Sequence, residues 1–311
     1  TLQVPLGSIS GTVQATWPDS ITAEDGINPN LDTQEYAIQY IAVRDGIFGN
    51  VIAGQAAEPT PNVIPPKCSI RTILIGGDDR PQSAGMQGNI HAYGGIIRNV
   101  ESSGPIGSAT TPASIQARFG LTALTCRALE SGLPAPRHVY ANIRTNWVNE
   151  APPVVQVPHG PPETRDVLWA SEGWIRRVMV SGDIHGTIRA NVLRPFPTFG
   201  DYGYEQGDPF GTTYGVFADG SCHANILFDH GVLITSLMAT EFTAPITCGS
   251  FLKGRLIATT GGIAAITAGR APIVSDSRGI PFPNGFVSAL QRPFWDNITF
   301  GDRSEEHTSE L

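Results

Sequence analysis

Lysine is nearly missing from this chain: Lys67 and Lys253 are the only two in 311 residues. Charged residues make up 15% of the total, against roughly 25% in ordinary globular chains, and the net charge is −8. So few lysines, with a net negative charge, argue against a basic nucleic-acid surface. Long apolar runs are missing too. None approaches the ~18 residues needed for a membrane helix. The four cysteines, Cys68, Cys126, Cys222 and Cys248, form no C-x-x-C pair, so zinc-ribbon and thioredoxin-type sites are excluded. The 3.6-residue apolar stripe of an amphipathic helix is also lacking.

Glycine and proline are abundant, at 35 and 25 residues, well above their usual combined ~12%. With 41% apolar residues the composition is not that of a disordered chain. It fits many short strands separated by turns.

One apolar phrase recurs. Ile70-Arg71-Thr72-Ile73-Leu74-Ile75-Gly76-Gly77-Asp78 returns 105 residues later as Ile175-Arg176-Arg177-Val178-Met179-Val180-Ser181-Gly182-Asp183. The second copy continues into Ile184-His185-Gly186-Thr187-Ile188-Arg189-Ala190. That ending has a counterpart in Gly7 to Ala15, offset by 175, and in Gly88-Asn89-Ile90-His91-Ala92, offset by 98. The two offsets, 105 and 98, imply a seven-residue insertion between Asp78 and Gly88. Repeats that absorb insertions at one point are stacked units with loops growing from a corner.

Within Ile184 to Ala190 the side chains alternate, Ile184, Gly186, Ile188 and Ala190 on one face and His185, Thr187 and Arg189 on the other. That is the period of a half-buried strand. A companion pattern, Ile-x-x-x-x-Gly followed by an aliphatic residue, begins at Ile90, Ile115, Ile226 and Ile257. It reads as a strand, a corner in which Gly95, Gly120, Gly231 or Gly262 accepts positive φ, and a strand re-entering the core. Ala92 and Ala117 are expected to face inward. Isolated strands this short cannot cover their own apolar faces, whereas stacking Ile on Ile from turn to turn does so. Ile90 to Ile115 and Ile115 to Ile143, at 25 and 28 residues, are suitable circumferences for one turn. The expected fold is all-β, a right-handed parallel β-helix. A propeller or sandwich is the alternative, but the two-residue Asn-Gly and Asp-Gly turns that favour hairpins are scarce.

These segments resemble bacterial parallel β-helix proteins of the secreted, surface-associated kind, in their glycine-punctuated Gly-Asp/Asn-Ile-x-Gly-x-Ile-x-Ala coils. The resemblance covers roughly residues 68–130, 174–192 and 222–275, with a weaker echo at 7–15. It implies an extracytoplasmic location and a polysaccharide or cell-surface matrix as partner. Its members include adhesin-like and structural proteins as well as polysaccharide lyases and hydrolases. A single interrupted domain over 1–302 is expected, with insertions at 16–66, 133–173 and 194–221. Residues 303–311 resemble the in-frame translation of a sequencing adapter and are excluded from the fold. Thr1 is not a start residue, so a leader and an anchor are both left open.

Several residue groups suit chemistry. Gly77-Asp78-Asp79 resembles the Gly-Asp-Asp of β-helical polygalacturonases, where paired carboxylates serve as acid and base. The repeat aligns Asp78 with Asp183, a corner residue, and the companion motifs of that family are absent. His159, His223 and His230 sit beside or near glycines, but no third and fourth metal ligand stands at suitable spacing, and they read as outward-facing histidines. Arg71, Arg176 and Arg189 fall on the outer face, where β-helical lyases carry an arginine base; solvated strand-face arginines explain them as well. Cys222 and Cys248 are 26 apart, about one coil, so either a stacked disulfide or two small buried side chains fits.

The strongest ligand signal is the aromatic insertion between Phe196 and Phe217. Phe199, Tyr202, Tyr204 and Tyr214, with Asp201 and Asp208 among them, suit a carbohydrate: rings stack on sugar faces and carboxylates accept hydroxyl hydrogen bonds. The same rings could instead fold back on the flank of the coil. No catalytic set, metal site or cofactor is expected. The functional expectation is a non-enzymatic surface or matrix segment, with a carbohydrate-active lyase or hydrolase as the alternative and end-to-end self-association as a third possibility.

Overall fold

The computed structural model describes residues 1–4, 7–15, 21–22, 36–54, 63–64, 69–76, 83–93, 95–118, 120–127, 137–145, 173–193, 214–249, 251–268 and 298–299. Among them there is no helix, and every pairing but one is parallel. The exception joins Ile21–Thr22 to Val63–Ile64, two segments from neighbouring insertions.

The parallel pairings form three ladders that each turn of the chain visits in order. A short ladder runs Ile9, Ile47, Met86, Ile106, Val139, Ile184, Cys222, Phe242 and Ile263. A middle ladder runs Val13, Val51, Ile90, Ile115, Ile143, Ile188, Ile226, Ile246 and Ile266. A long ladder runs Ile41, Ile73, Val100, Leu124, Val178, Val216, Leu237 and Leu256. Nine successive rungs therefore wind into a three-sided parallel β-helix.

The physical reason is visible in burial. From Ile47 to Phe242 on the short side, Val51 to Ile246 on the middle and Ile41 to Leu256 on the long, every rung residue is at most 2% exposed. They fill one continuous core. Burying each such side chain contributes about 1.5–3 kcal/mol, so the columns supply the main driving force. Backbone N–H and C=O groups are satisfied by the rungs above and below, which leaves each turn dependent on its neighbours.

The recurring phrases occupy equivalent rungs. Ile70 pairs with Ile97, Ile97 with Leu121 and Leu121 with Ile175, placing the two long copies on one column. Ile90 and Ile188 share the middle ladder, as do Val13 and Ile188, matching the offsets of 98 and 175. The smallest described turns need only 19 or 20 residues, as from Leu237 to Leu256, Met86 to Ile106 and Cys222 to Phe242. Longer turns carry their extra residues mainly at the corner between middle and long ladders, as between Ile143 and Val178. The seven-residue insertion between Asp78 and Gly88 lies at the corner leading into the short ladder.

Two expectations change. First, the strand from Ile184 to Ala190 does not present one face. Gly186 is exposed and has φ +103°, so Ile184 enters the short side and Ile188 the middle side. A Cβ on Gly186 would lie 2.3 Å from the Ala141 carbonyl oxygen. Second, Gly120 and Gly262 do not adopt positive φ. At Gly120 the absence of a side chain is required instead, because a Cβ there would lie 2.2 Å from the Trp174 indole. Trp174 joins Tyr36, Ile96 and Val192 in a small separate cluster at the insertion corner. Of the two readings left open for Cys222 and Cys248, two small buried side chains hold, and the pair does not stack. Cys222 lies between Ile184 and Phe242 on the short ladder, while Cys248 pairs with Phe228 on the middle strand. Both thiols are free, as is Cys126. Regular rungs also lie inside the expected insertions, at Tyr36–Val43, Val51–Ala53, Val139–Thr145 and Gly215–Ala218.

Ile188→Ala should cost about 2–5 kcal/mol by guanidinium unfolding, because a rung cavity cannot collapse between fixed neighbours. The outward Gln116→Ala should stay within about 0.5 kcal/mol. Burial pushes the Cys126 and Cys248 thiols up to about 12 and the Cys222 thiol up to about 11. Iodoacetamide at pH 8, read by peptide mass spectrometry, should leave all three unlabelled in the folded chain and modify them after unfolding.

Candidate functional site

Parallel, in-register pairing places equivalent outward positions ~4.8 Å apart on successive rungs. On the short side this builds two polar columns flanking the buried Val139, Ile184, Cys222 and Phe242. One column is His138, Asp183, Ser221 and Glu241. The other is Tyr140, His185, His223 and Thr243.

The second column is a ring stack. Tyr140 and His185 lie 4.3 Å apart between centroids and 5° from parallel; His185 and His223 follow at 4.6 Å and 23°. The Nδ1 of His223 is 2.6 Å from Thr243 Oγ1. In this arrangement His185 has both ring faces covered, so its nitrogen-bearing edge is what it presents outward. That edge suits a cation or a hydrogen-bond partner, whereas a sugar would need an open ring face.

The first column is hydrogen-bonded along its length. Asp183 Oδ1 accepts from the Ser221 amide at 2.8 Å, and the Ser221 hydroxyl donates to Glu241 Oε1 at 3.1 Å. The other carboxylate oxygen, Asp183 Oδ2, is 3.1 Å from His138 Nδ1. The same nitrogen accepts from the Asp183 amide, also at 3.1 Å. His138, Asp183 and His185 bring one ligand atom each to within 4.8 Å of one another, and all three are partly buried. Among the described residues, no second group of three His, Cys, Asp or Glu side chains comes as close.

His185 is held below the usual histidine range, first by burial and then by the positive field of His223. Asp183 opposes the shift and His138 adds to it. The lowered value means the folded state binds fewer protons than the unfolded chain. Its contribution to stability is therefore present above the unfolded value of 6.5 and is lost as pH falls below it.

The sequence reading missed this cluster. His138 and Asp183 are 45 residues apart, and the repeated phrases do not extend to 137–140. The available signal was register: once Ile143 is aligned with Ile188, Val139 falls on Ile184, and His138 and Tyr140 fall on Asp183 and His185. Asp183 does occupy a corner, as expected.

Of the aromatic insertion, Phe199, Asp201, Tyr202, Tyr204 and Asp208 lie outside the described residues, as do Asp78, Asp79 and His159. Tyr214 is described and packs on the coil. Arg176 donates to its hydroxyl at 2.7 Å and its guanidinium carbon lies 4.3 Å from the ring centroid. Phe217 is buried at 6% exposure. Arg71, Arg176 and Arg189 all face outward; Arg189 is 3.5 Å from the exposed Asp229. Comparison with family models, curated protein sequences and solved structures returns no match to this chain.

Histidine NMR across pH should place the His185 midpoint below 6.5. His223→Ala should raise that midpoint by removing a neighbouring positive charge.

Proposed function

We propose that this chain is a structural β-solenoid segment of a surface or extracellular matrix, working as a rigid spacer without turnover of its own. The observation that supports this best is the unbroken run of buried apolar rungs on all three sides. Nine rungs at ~4.8 Å make an axis of about 38 Å. Its length is set by the number of rungs, because each contacts only the next. Such a body transmits length and stiffness along its axis, with the insertions confined to its corners. An extracytoplasmic location follows from the resemblance to secreted β-helix proteins, and a polysaccharide or matrix partner would meet the corner insertions.

The Arg176–Tyr214 contact supports a Tyr214 ring held against the coil in preference to one open to a sugar face. Purified chain incubated with acidic and neutral polysaccharides should release neither reducing ends nor unsaturated products. Clear turnover of any of them would overturn the spacer reading in favour of a carbohydrate-active enzyme. External protease applied to intact source cells should cleave the protein, and full protection would remove the surface location.

A further inference from the structure

We propose that His138, Asp183 and His185 bind one divalent transition-metal ion of the zinc class on the short side of the solenoid. Two imidazoles and one carboxylate form a donor set for late first-row divalent ions. Calcium and magnesium demand shells of oxygen and fit it poorly. Three protein ligands leave a further position for water or a partner's side chain.

The internal geometry supports an ion over a simple ion pair. One nitrogen, His138 Nδ1, meets both a donor, the Asp183 amide, and an acceptor, Asp183 Oδ2, each at 3.1 Å. Without a proton it opposes the carboxylate lone pair. With one it faces the amide hydrogen. A cation shared by Nδ1 and Oδ2 would offset the carboxylate charge and take the single Nδ1 lone pair, displacing the Asp183 amide hydrogen from it. The 3.1 Å separation is close to the ~3.3 Å edge of a tetrahedron with ligands about 2.0 Å from the metal.

The surroundings hold these ligands in place. Asp183 Oδ1 is tied to the Ser221 amide, so the carboxylate turns its second oxygen toward His138. His185 is clamped between Tyr140 and His223, which fixes its ring plane before any ion arrives. His138 directly precedes the Val139 rung, while Asp183 and His185 flank the Ile184 rung, so the supporting backbone is the rigid part of the fold. Fixed ligands with hydrogen-bonded supports distinguish a built site from scattered surface histidines.

The test is calorimetric titration of the tag-free full chain with ZnCl2, repeated with NiCl2. Wild type should bind a single ion that depends on this cluster. Asp183→Asn keeps an oxygen for the Ser221 amide but removes the charge, and should weaken binding at least ~10-fold. His138→Ala and His185→Ala should do the same, with far-UV circular dichroism confirming that each variant folds. His91→Ala, in a separate histidine pair with Tyr93 and Ser114, should bind as wild type does. If His138→Ala or His185→Ala fails to fold, Asp183→Asn decides the matter. Absence of binding in wild type, or unchanged affinity in folded Asp183→Asn, would overturn the proposal.

Discussion

In-register stacking of aliphatic side chains between successive turns is the interaction on which everything else in this molecule depends. Single turns of 20 residues expose most of their surface and have no core of their own. Placed on one another they convert the interior into three apolar columns, with Ile115 between Ile90 and Ile143, and Leu124 between Val100 and Val178. Once that register is set, outward residues have no freedom over their neighbours. The polar ladder on the short side is a consequence of the same pairing that buries Val139, Ile184, Cys222 and Phe242.

This coupling explains how the fold brings outward side chains together. A histidine repeated on adjacent rungs becomes a stack, as His185 and His223 do, because strand spacing and ring thickness nearly match. A carboxylate at the same corner as a histidine one rung away becomes its partner, as Asp183 does for His138. Variation along one column changes the surface without disturbing the core. Insertions add a second freedom, since corners accept up to tens of residues while the rungs on either side stay aligned. The proposed spacer role and the proposed metal site are thus compatible: one uses the columns inside, the other the columns outside.

The fold was legible because its signal is local and repeated. Ile70 to Ile75 and Ile175 to Val180 carry the same alternation, and their offset agrees with the pairings through Ile97 and Leu121. Bends were harder to read. Gly186 was assigned to a straight strand because Ile184, Gly186 and Ile188 keep period two even though the chain turns between them. Gly120 was read as a backbone requirement, yet its cause is the distant Trp174 indole, which no local pattern reveals. The histidine cluster was hidden for a related reason. Its members meet across a turn whose length is set by the corner insertion after Thr145, so spacing in sequence carries no information about spacing in space.

The most direct measurement is the distance between outward labels on the middle ladder, by pulsed electron resonance with genetically encoded spin labels. Gln14 to Arg144 and Gln116 to Thr247 each span four rungs through the pairings described above. Stacked turns predict about 19 Å between backbone positions in both pairs, since every rung adds ~4.8 Å whatever loop intervenes. Two clearly different distances, or values tens of ångströms longer, would contradict the stack.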